Sequence, residues 1–567
     1  MQLAMRYSGR SGLRRLQGER IVQFAPNLTR DQVRFDAELV EPLRFREAIS
    51  ALHDVVINDL RFKPRDKTAY EEYKKRMRLE ESAIRSQAYQ EAKKAFEARQ
   101  NQPVPKALKR EYAASLKQYW AARRRLDRHL RTHNAELWRK LMPYDPVITI
   151  ADDVVYFECF SADESSYGCL TLERDRCFGV SGDVALGTTN VDYSWDLYNG
   201  FQSLRTYRRT RFQIDPSGFE VTTEGREETR EEKIDVPSGW LRGFMQMQAA
   251  MAMPTRRVEL SVSSVYSLLA FLKRNKAATS PRAIRFVLRD GETPHLVLEP
   301  WDKIITSYGT TYHGPTGEPI RIWGRRRLLV LARLLPLADG VDVHLLGTGL
   351  PSFWVVRMGK MRLTLGLSGW TANDWTAGTA VDLLLPQSRP ADLDVAHAAT
   401  ALNRARCTGL HELASELKKT PGSTAALMNQ LTLRGQAIYD LHAQAYRWRQ
   451  VLPMELSDKE LGPPHPELAG ARDLLTRRNF KEIQDRDGPR GGVIVTGQVE
   501  GKPCEALVDG DGMIRRGKCL CGYFKKFSLR NGPCRHLQVL RDWLWLGQPE
   551  QAQTDWYENL ARWAGRS

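Results

Sequence analysis

Three cysteines and one histidine near the end of the sequence have the types and the spacing of a metal site. Cys519 and Cys521 form a C-x-C pair, and Cys534 and His536 form a C-x-H pair after a gap of twelve residues. In a β-strand, residues i and i+2 point to the same side, so the first two thiols can reach one ion. Three thiolates and one imidazole complete a tetrahedral Zn²⁺ ligand set, with Zn–S near ~2.3 Å and Zn–N near ~2.0 Å.

Such a site is expected to be structural rather than catalytic. Four protein ligands leave no position for a water molecule, which disfavours hydrolysis at this metal. The bound ion would instead contribute folding free energy to a small module. Cys504 lies nearby on a predicted strand, and we interpret it as a core thiol. The alternative, a set of unrelated buried thiols with a surface histidine, is disfavoured because four of the eight cysteines fall between residues 504 and 534.

The segment between the two ligand pairs alternates cations with aromatic side chains. These residues are Tyr523, Phe524, Lys525, Lys526 and Arg530. Cations beside aromatic rings suit phosphates and stacked bases, and they equally suit an acidic protein surface. The pattern therefore predicts a surface for nucleic acid, bound weakly and with strong salt dependence, or for a protein partner. A solvated loop with one or two inward-packed aromatics is the alternative.

Strands and a helix are needed to position these ligands. The stretches GGVIVTGQVEG and CEALVDG favour strands before the first pair, NGP favours a turn, and HLQVLRDWLWL favours an amphipathic helix after the second pair. The sequence thus predicts a zinc module over residues 470–548.

This arrangement resembles the SWIM-type zinc finger, in both pair spacings and in the flanking stretch GPCRHLQVLR. The resemblance implies that Zn²⁺ is held by Cys519, Cys521, Cys534 and His536. Further stretches, among them GTTNVDYSWDLYNGFQSLR and LGTGLPSFWV, resemble bacterial SWIM zinc finger proteins whose genes lie near those of MoxR-type AAA+ ATPases and von Willebrand A-domain proteins. This implies a bacterial protein that works beside such a complex, and it assigns no reaction.

A second binding unit is predicted over residues 394–452. Two helices, a PG turn, a third helix and a two-stranded hairpin follow one another, which is the order of a winged helix-turn-helix. Arg434 at the end of the third helix and Arg447 and Arg449 in the wing are the expected phosphate contacts. The third helix has no Lys or Arg before Arg434, so it would attract DNA only weakly.

The remaining chain is predicted to be α+β, which makes the whole protein a multidomain α+β chain. Residues 1–65 suggest no function. Residues 66–141 are rich in Ala, Glu, Lys and Arg and are broken by NQPVP, which predicts a long helical hairpin. Residues 147–385 carry many short strand patterns with two amphipathic helices, and a degenerate repeat of helix and strands covers 258–312 and 320–368.

Composition narrows the functional classes. The 567 residues carry a formal net charge of +17, which favours a polyanion or an acidic protein as partner. Apolar runs stay below the roughly 18 residues that a membrane span requires, so we expect no membrane association. Sparse cysteines indicate reduced thiols and a cytoplasmic location.

An enzymatic role is not indicated by sequence motifs. The stretch GMIRRGKC begins like a P-loop, but Cys519 stands where Ser or Thr would bind Mg²⁺. Carboxylates beside tryptophans, Asp192 and Asp374, are where an unrecognised active site within 147–385 would lie. We therefore expect a non-enzymatic, zinc-stabilised protein that binds DNA or a protein partner. The alternatives are an enzyme with a site in that body and a pure protein–protein adapter of an AAA+ ATPase and von Willebrand A-domain complex.

Overall fold

The chain divides into two compact units, residues 1–58 with 143–567 and residues 59–142. The predicted helical hairpin over 66–141 falls outside the described residues except for positions 114 and 118. The computed structural model describes residues 5–6, 12–16, 19–24, 33–56, 114, 118, 146–161, 163–179, 184–191, 195–202, 204–206, 209–214, 232–233, 238–369, 390–450, 466–529, 532–546 and 556–565.

Strands occur along the whole of the first unit. They are β1 (Met5–Arg6), β2 (Gly12–Leu16), β3 (Glu19–Phe24), β4 (Phe35–Glu38), β5 (Val147–Ile150), β6 (Val154–Phe160), β7 (Ser166–Glu173), β8 (Gly187–Asn190), β9 (Thr210–Ile214), β10 (Glu232–Lys233), β11 (Arg256–Leu260), β12 (Ile284–Val287), β13 (His295–Leu298), β14 (Lys303–Thr306), β15 (Ile320–Ile322), β16 (Gly340–Leu345), β17 (Ser352–Met358), β18 (Met361–Leu367), β19 (Cys407–Thr408), β20 (Ala437–Asp440), β21 (Ala445–Trp448), β22 (Phe480–Asp487), β23 (Val493–Val499), β24 (Lys502–Val508) and β25 (Ile514–Cys519).

Helices separate groups of these strands. They are α1 (Pro42–Val56), α2 (Arg174–Cys177), α3 (Trp195–Phe201), α4 (Ser238–Met251), α5 (Val262–Arg274), α6 (Asp392–Ala405), α7 (Leu410–Leu417), α8 (Pro421–Leu433), α9 (Pro466–Thr476), α10 (Gly522–Phe527), α11 (Arg535–Leu546) and α12 (Trp556–Ala564). Among the helices of the described ranges, none is long and apolar enough to cross a membrane.

A central antiparallel sheet organises the first unit, with strand order β11-β16-β17-β18-β7-β6-β5-β8. Its inner strands β6, β7, β17 and β18 are buried on both faces, which explains the continuous apolar run VVYFECF in β6. Val155 and Phe157 face a core that includes α1 and α5. Tyr156 and Phe160 face the opposite core, to which α4 and the helices after residue 390 contribute.

Smaller sheets surround the central one. Their strand orders are β1-β10, β2-β3-β9-β4, β14-β13-β12-β15, β19-β21-β20 and β22-β23-β24-β25. The many sheets together with the helices make this a mixed α+β chain. The order strand, helix, three antiparallel strands occurs at β11, α5 and β12–β14.

The next segment follows the same order, but a 3₁₀ helix over Arg325–Arg333 stands in place of the α-helix expected from RRRLLVLARLLPLA. The first strand of each segment pairs with a strand of the other segment. β11 of the first pairs with β16 of the second, and β15 of the second pairs with β12 of the first. The 3₁₀ helix begins after Gly324, which has a φ of 80°. Arg325 is buried and donates to the carbonyl oxygens of Ala283 and Glu299, so packing sets the local conformation.

The trihelical segment, defined here as residues 392–449, contains α6, α7 and α8 followed by the β20–β21 hairpin and Arg449. Its third helix, α8, is buried on most sides because α4, α6, α7 and α12 pack around it. Thr424 and Met428 have no exposed surface, and Asn429 is 2% exposed. The hairpin lies against the central sheet, where the Tyr156 hydroxyl donates to Asp440 over 3.1 Å. Both features therefore belong to the interior of the first unit.

A buried ion pair joins this segment to the central sheet. The Arg449 guanidinium donates to Glu158, and both side chains are completely buried. The Tyr167 hydroxyl donates a second hydrogen bond to Glu158 over 2.7 Å. Burial raises the pKa of Glu158, although Arg449 and Tyr167 oppose that shift. The carboxylate therefore depends on its partners to remain charged.

Removal of one partner of this pair is expected to be costly. Arg449→Met leaves a carboxylate buried without its counter-charge, which costs about 3–5 kcal/mol and lowers the melting temperature by roughly 3–5 °C in a unit of this size. The double change Arg449→Met with Glu158→Gln should recover most of that loss, because a neutral amide still accepts the Tyr167 hydrogen bond. Scanning calorimetry measures the melting temperatures of the single and the double variant. Equal melting temperatures for the single and double variants would contradict this account.

Candidate metal centre

The structure brings the four predicted ligands together in the metal module, defined here as residues 466–546. Cys519 ends β25, Cys521 is the N-cap of α10, and Cys534 and His536 lie at the start of α11. All four are buried, and their ligand atoms lie within 4.8 Å of one another. In a tetrahedral zinc site, sulfur atoms at ~2.3 Å from the ion are about 3.8 Å apart. The cluster could therefore hold a metal ion with little rearrangement.

Backbone and thiol donors surround the sulfur atoms. The Cys521 N–H lies 3.5 Å from Cys519 Sγ, and the Phe524 N–H lies 3.3 Å from Cys521 Sγ. The Cys504 and Cys534 thiols donate toward Cys519 and lower the pKa of its thiol, outweighing the effect of burial. These donors favour the thiolate form of Cys519, the form that binds metal, whereas burial raises the pKa of Cys521.

The imidazole of His536 is oriented for ligation. Its Nε2 lies 3.1 Å from Glu500 Oε2, while its buried Nδ1 has no hydrogen-bond partner. A buried polar atom without a partner is costly, and a metal ion would supply the missing interaction. A carboxylate on the far nitrogen is the usual way in which proteins fix the tautomer of a ligating histidine. The residues present thus fit a metal ion through three Sγ atoms and Nδ1.

Glu500 is itself held in place. Lys502 Nζ lies 2.8 Å from its Oε2. Hydrogen bonds from Lys502 and from His536 lower the pKa of Glu500 to about 2, so the carboxylate is charged at neutral pH. No sequence pattern marks Glu500 as a partner of His536, because only the strand turn between β23 and β24 brings the two together.

Cys504 lies beside the cluster without joining it. It is directly opposite Cys519 in the β24–β25 register, and the two sulfur atoms are 3.6 Å apart. Its thiol donates toward Cys519 and packs in the module core with Val495, Val499 and Leu540. We therefore still interpret Cys504 as a core thiol, which in addition donates a hydrogen bond to Cys519.

The segment between the ligand pairs forms the short helix α10 rather than a loop. Lys525 and Lys526 are exposed on it, whereas Tyr523 and Phe524 are half-buried. The Tyr523 and Phe527 rings lie 5.1 Å apart, and Lys526 Nζ lies 5.0 Å from the Phe527 ring. The aromatic rings thus support the helix while the two lysines face outward. Arg530 lies outside the described residues.

The other three residues predicted to contact phosphates, Arg434, Arg447 and Arg449, belong to the trihelical segment and not to the metal module. Arg447 is 5% exposed and pairs with Asp153 at 2.6 Å and Asp440 at 3.2 Å. Arg449 is buried with Glu158, as described above. We therefore correct the expectation for these two arginines, because their guanidinium groups are enclosed and already paired. Arg434 is partly exposed and lies 2.6 Å from Asp392.

Asp511 fixes the metal module against the α+β body. Although burial raises its pKa, hydrogen bonds from Ser280 and Arg282 outweigh this and hold the pKa of Asp511 below its usual value. Its carboxylate accepts from Ser280 Oγ at 2.6 Å and from the Trp323 indole N–H at 3.1 Å. Arg282 donates twice, from its backbone N–H and from Nε, both at 2.6 Å. These contacts join residues about 200 positions apart, which no local sequence pattern reveals.

The enzyme alternative gains no support from the described part of the chain. Asp192 and Asp374 fall outside it. A cavity of about 450 Å³ lies beside β5 and β8 and includes Asp153, Arg406 and Cys407. Burial raises the pKa of Cys407, which keeps this residue a thiol rather than a nucleophilic thiolate.

No protein-family model and no curated protein sequence matches this chain. Among solved structures it is similar to the proliferating cellular nuclear antigen of Entamoeba histolytica, at 13% identity and a TM-score of 0.27 over 40% of this chain and 89% of that one. It is also similar to A. fulgidus PCNA bound to the C-terminal region of FEN-1, at 13% identity and a TM-score of 0.28 over 41% and 91%. Neither TM-score supports a conclusion about fold or function.

The geometry predicts which thiols retain the ion. Cys534→Ala should lose the metal and unfold the module, because a structural ion supplies much of the folding free energy of a small domain. Cys504→Ala should keep about one zinc per chain, as its sulfur lies outside the tetrahedral set. Mass spectrometry measures the metal content of each variant, and tryptophan fluorescence reports whether its module is folded. Metal-free purified protein from zinc-replete cells, or equal loss in both variants, would contradict the assignment.

Asp511→Ala should loosen the module from the body without releasing metal. Loss of hydrogen bonds to a buried charge costs about 3 kcal/mol, so amide exchange in β12 should accelerate about 100-fold. Because the folded pKa is lowered, this stabilisation is complete above about pH 4 and is lost as the pH falls through the lowered pKa. Asp485→Ala, an exposed acid on β22, is the matched control. Unchanged exchange in Asp511→Ala would refute the docking role.

Proposed function

We propose that this chain is a zinc-stabilised binding protein whose metal module is a SWIM-type finger that contacts nucleic acid. Cys519, Cys521, Cys534 and His536 would hold Zn²⁺, which supplies structural cross-linking and no open coordination position. The observation that carries the proposal is the buried ligand cluster beneath an outward basic helix. Ligating thiols must stay reduced, which fits a cytoplasmic location.

The basic face of the module extends beyond α10. Lys525 and Lys526 are exposed on the helix, and Arg516 is exposed on β25, which leads directly into the first ligand. Leu520 lies between these two elements and is 60% exposed. β25 is an edge strand of its sheet, so this face is open along one side. Cations beside an exposed apolar residue fit a phosphate backbone with partly unstacked bases.

Binding of DNA through this basic face should be weak and independent of the DNA sequence. The trihelical segment has the element order of a winged helix, and we propose that fold for it. Its third helix and hairpin are packed in the interior, so they cannot enter a major groove as such units do. The remaining contacts are a few phosphates, and each phosphate neutralised contributes a log–log salt slope of about −0.9.

A protein adapter is the second candidate, and the buried third helix favours it. The trihelical segment already serves as a protein-packing unit, through α8 against α4 and α12. The same basic face would then meet an acidic protein surface. The MoxR-type ATPase or von Willebrand A-domain protein implied by the sequence resemblance is the partner to test.

Charge reversal on α10 tests the nucleic-acid proposal. The double change Lys525→Glu, Lys526→Glu should weaken binding of a DNA duplex at least about fivefold at low salt, because it replaces two phosphate attractions by repulsions. A gel-shift titration at low and moderate salt measures this, and zinc content shows that the variant is folded.

The matched control reverses two exposed lysines on the body. Lys273→Glu, Lys276→Glu changes the net charge by the same amount but lies at the end of α5 in the body, outside the metal module. Equal weakening in both variants would show non-specific electrostatics and refute a site on α10. No shift at micromolar protein in low salt would favour the adapter instead.

A further inference from the structure

Among the strands of the described residues, none pairs with the outer side of β14, which is the edge of the four-stranded sheet β14-β13-β12-β15. The inward hydrogen bonding of β14 can be read from the antiparallel register, in which Ile305 lies opposite Leu296 and Ile304 lies opposite Val297. The Ser307 N–H donates to Pro294 O over 3.0 Å, which places Ser307, Ile305 and Lys303 in the hydrogen-bonded positions toward β13. The N–H and C=O groups of Ile304 and Thr306 therefore point away from the sheet.

Large apolar side chains are exposed along the same edge. Trp301 is 37% exposed just before the strand, Ile304 is 56% exposed within it, and Tyr308 is 76% exposed just after it. Folded proteins usually protect edges with charges, prolines or bulges, because an open apolar edge invites pairing with another strand. Lys303 is the single charge on β14, and its backbone groups face inward. The edge thus combines free hydrogen-bonding groups with apolar anchors.

Positive charge lies at the Trp301 end of this edge. The Phe271 ring packs on Trp301 with ring centres 5.1 Å apart. Lys273 and Arg274 end α5 after Phe271, Lys276 lies two residues beyond the helix, and all three are exposed. No described acid forms an ion pair with them. Asp302, the acid nearest in sequence to the strand, is already paired with Arg285 at 3.3 Å.

We propose that β14 is a docking edge for an extended segment of a partner protein. That segment would add a strand through the outward groups of Ile304 and Thr306. Apolar side chains would cover Trp301, Ile304 and Tyr308, and acidic residues at one flank would meet the cations after Phe271. This edge belongs to the α+β body, and the proposal does not depend on the metal module or on nucleic acid.

A random dodecamer peptide library displayed on phage is the probe, selected on the full chain. Enriched peptides should carry β-branched or aromatic residues with Asp or Glu at one flank. In fluorescence anisotropy, Ile304→Pro should weaken their binding at least about tenfold, because proline removes an outward N–H without breaking a bond to β13. Lys273→Glu with Arg274→Glu should weaken it at least about fivefold, by charge reversal.

Leu393→Glu is the control, since Leu393 is an exposed apolar residue, 76% accessible, on α6. The enriched peptides should bind to this variant with the same affinity as to the unchanged protein. Amide exchange adds a readout of strand addition, because the Ile304 and Thr306 amides should slow at least about tenfold in the complex if a new strand pairs with them.

Several outcomes overturn the proposal. They include no enriched peptide, enrichment without acidic flanks, equal binding to Ile304→Pro, and unchanged exchange at Ile304 and Thr306. Analytical sedimentation of the full chain shows whether a second copy of the chain occupies the edge. A dimer that Ile304→Pro converts to a monomer would assign the edge to a second copy of this chain rather than to a partner protein.

Discussion

The burial of both faces of the central antiparallel sheet is the constraint on which the rest of the first unit depends. An antiparallel sheet can leave one face in water, and its strands then alternate apolar and polar residues. Here β6, β7, β17 and β18 are buried nearly throughout, so two separate layers must cover them. Helices α1 and α5 supply one layer. Helix α4 and the trihelical segment supply the other.

That second layer determines what the trihelical segment can do. Its hairpin brings Asp440, Arg447 and Arg449 against the sheet, where each charge needs a partner. Burial raises the pKa of Asp440, but Arg447 together with the Ala443 backbone N–H and other neighbours outweighs it and holds the pKa below its usual value. Arginines that resemble DNA contacts in the sequence are therefore neutralised inside the protein. The surfaces that we propose for contacts with other molecules are therefore the metal module and the edge of the body.

Local patterns predicted the parts of this structure that local physics controls. The spacing predicted that Cys519, Cys521, Cys534 and His536 come together, because C-x-C on a strand and C-x-H at a helix start converge by backbone geometry. The strand patterns and the mixed α+β class followed from side-chain periodicity. The helix expected at Arg325 is a 3₁₀ helix, since the burial of that side chain among distant carbonyl groups overrides its helical pattern.

Contacts between distant residues could not be predicted in this way. Glu500 reaches His536, and Asp511 reaches Trp323, only after several strands have paired. The burial of Arg447 and Arg449 likewise depends on a sheet that begins 300 residues earlier in the chain. A basic residue in a predicted wing has the same sequence appearance whether its surroundings are water or a carboxylate.

The discontinuous first unit also affects how the chain is made. Helix α1 packs on β6, β7 and β18, yet residues 59–142 form a separate unit inserted before these strands. Ribosomes add about 5–20 residues per second, so the apolar face of α1 emerges several seconds before β7 is synthesised. Phe45, Ile49 and Leu52, all buried in the finished fold, lack the central-sheet strands on which α1 packs during that interval. The nascent chain therefore presents a hydrophobic helix to chaperones early in translation, and the order of synthesis differs from the order of packing.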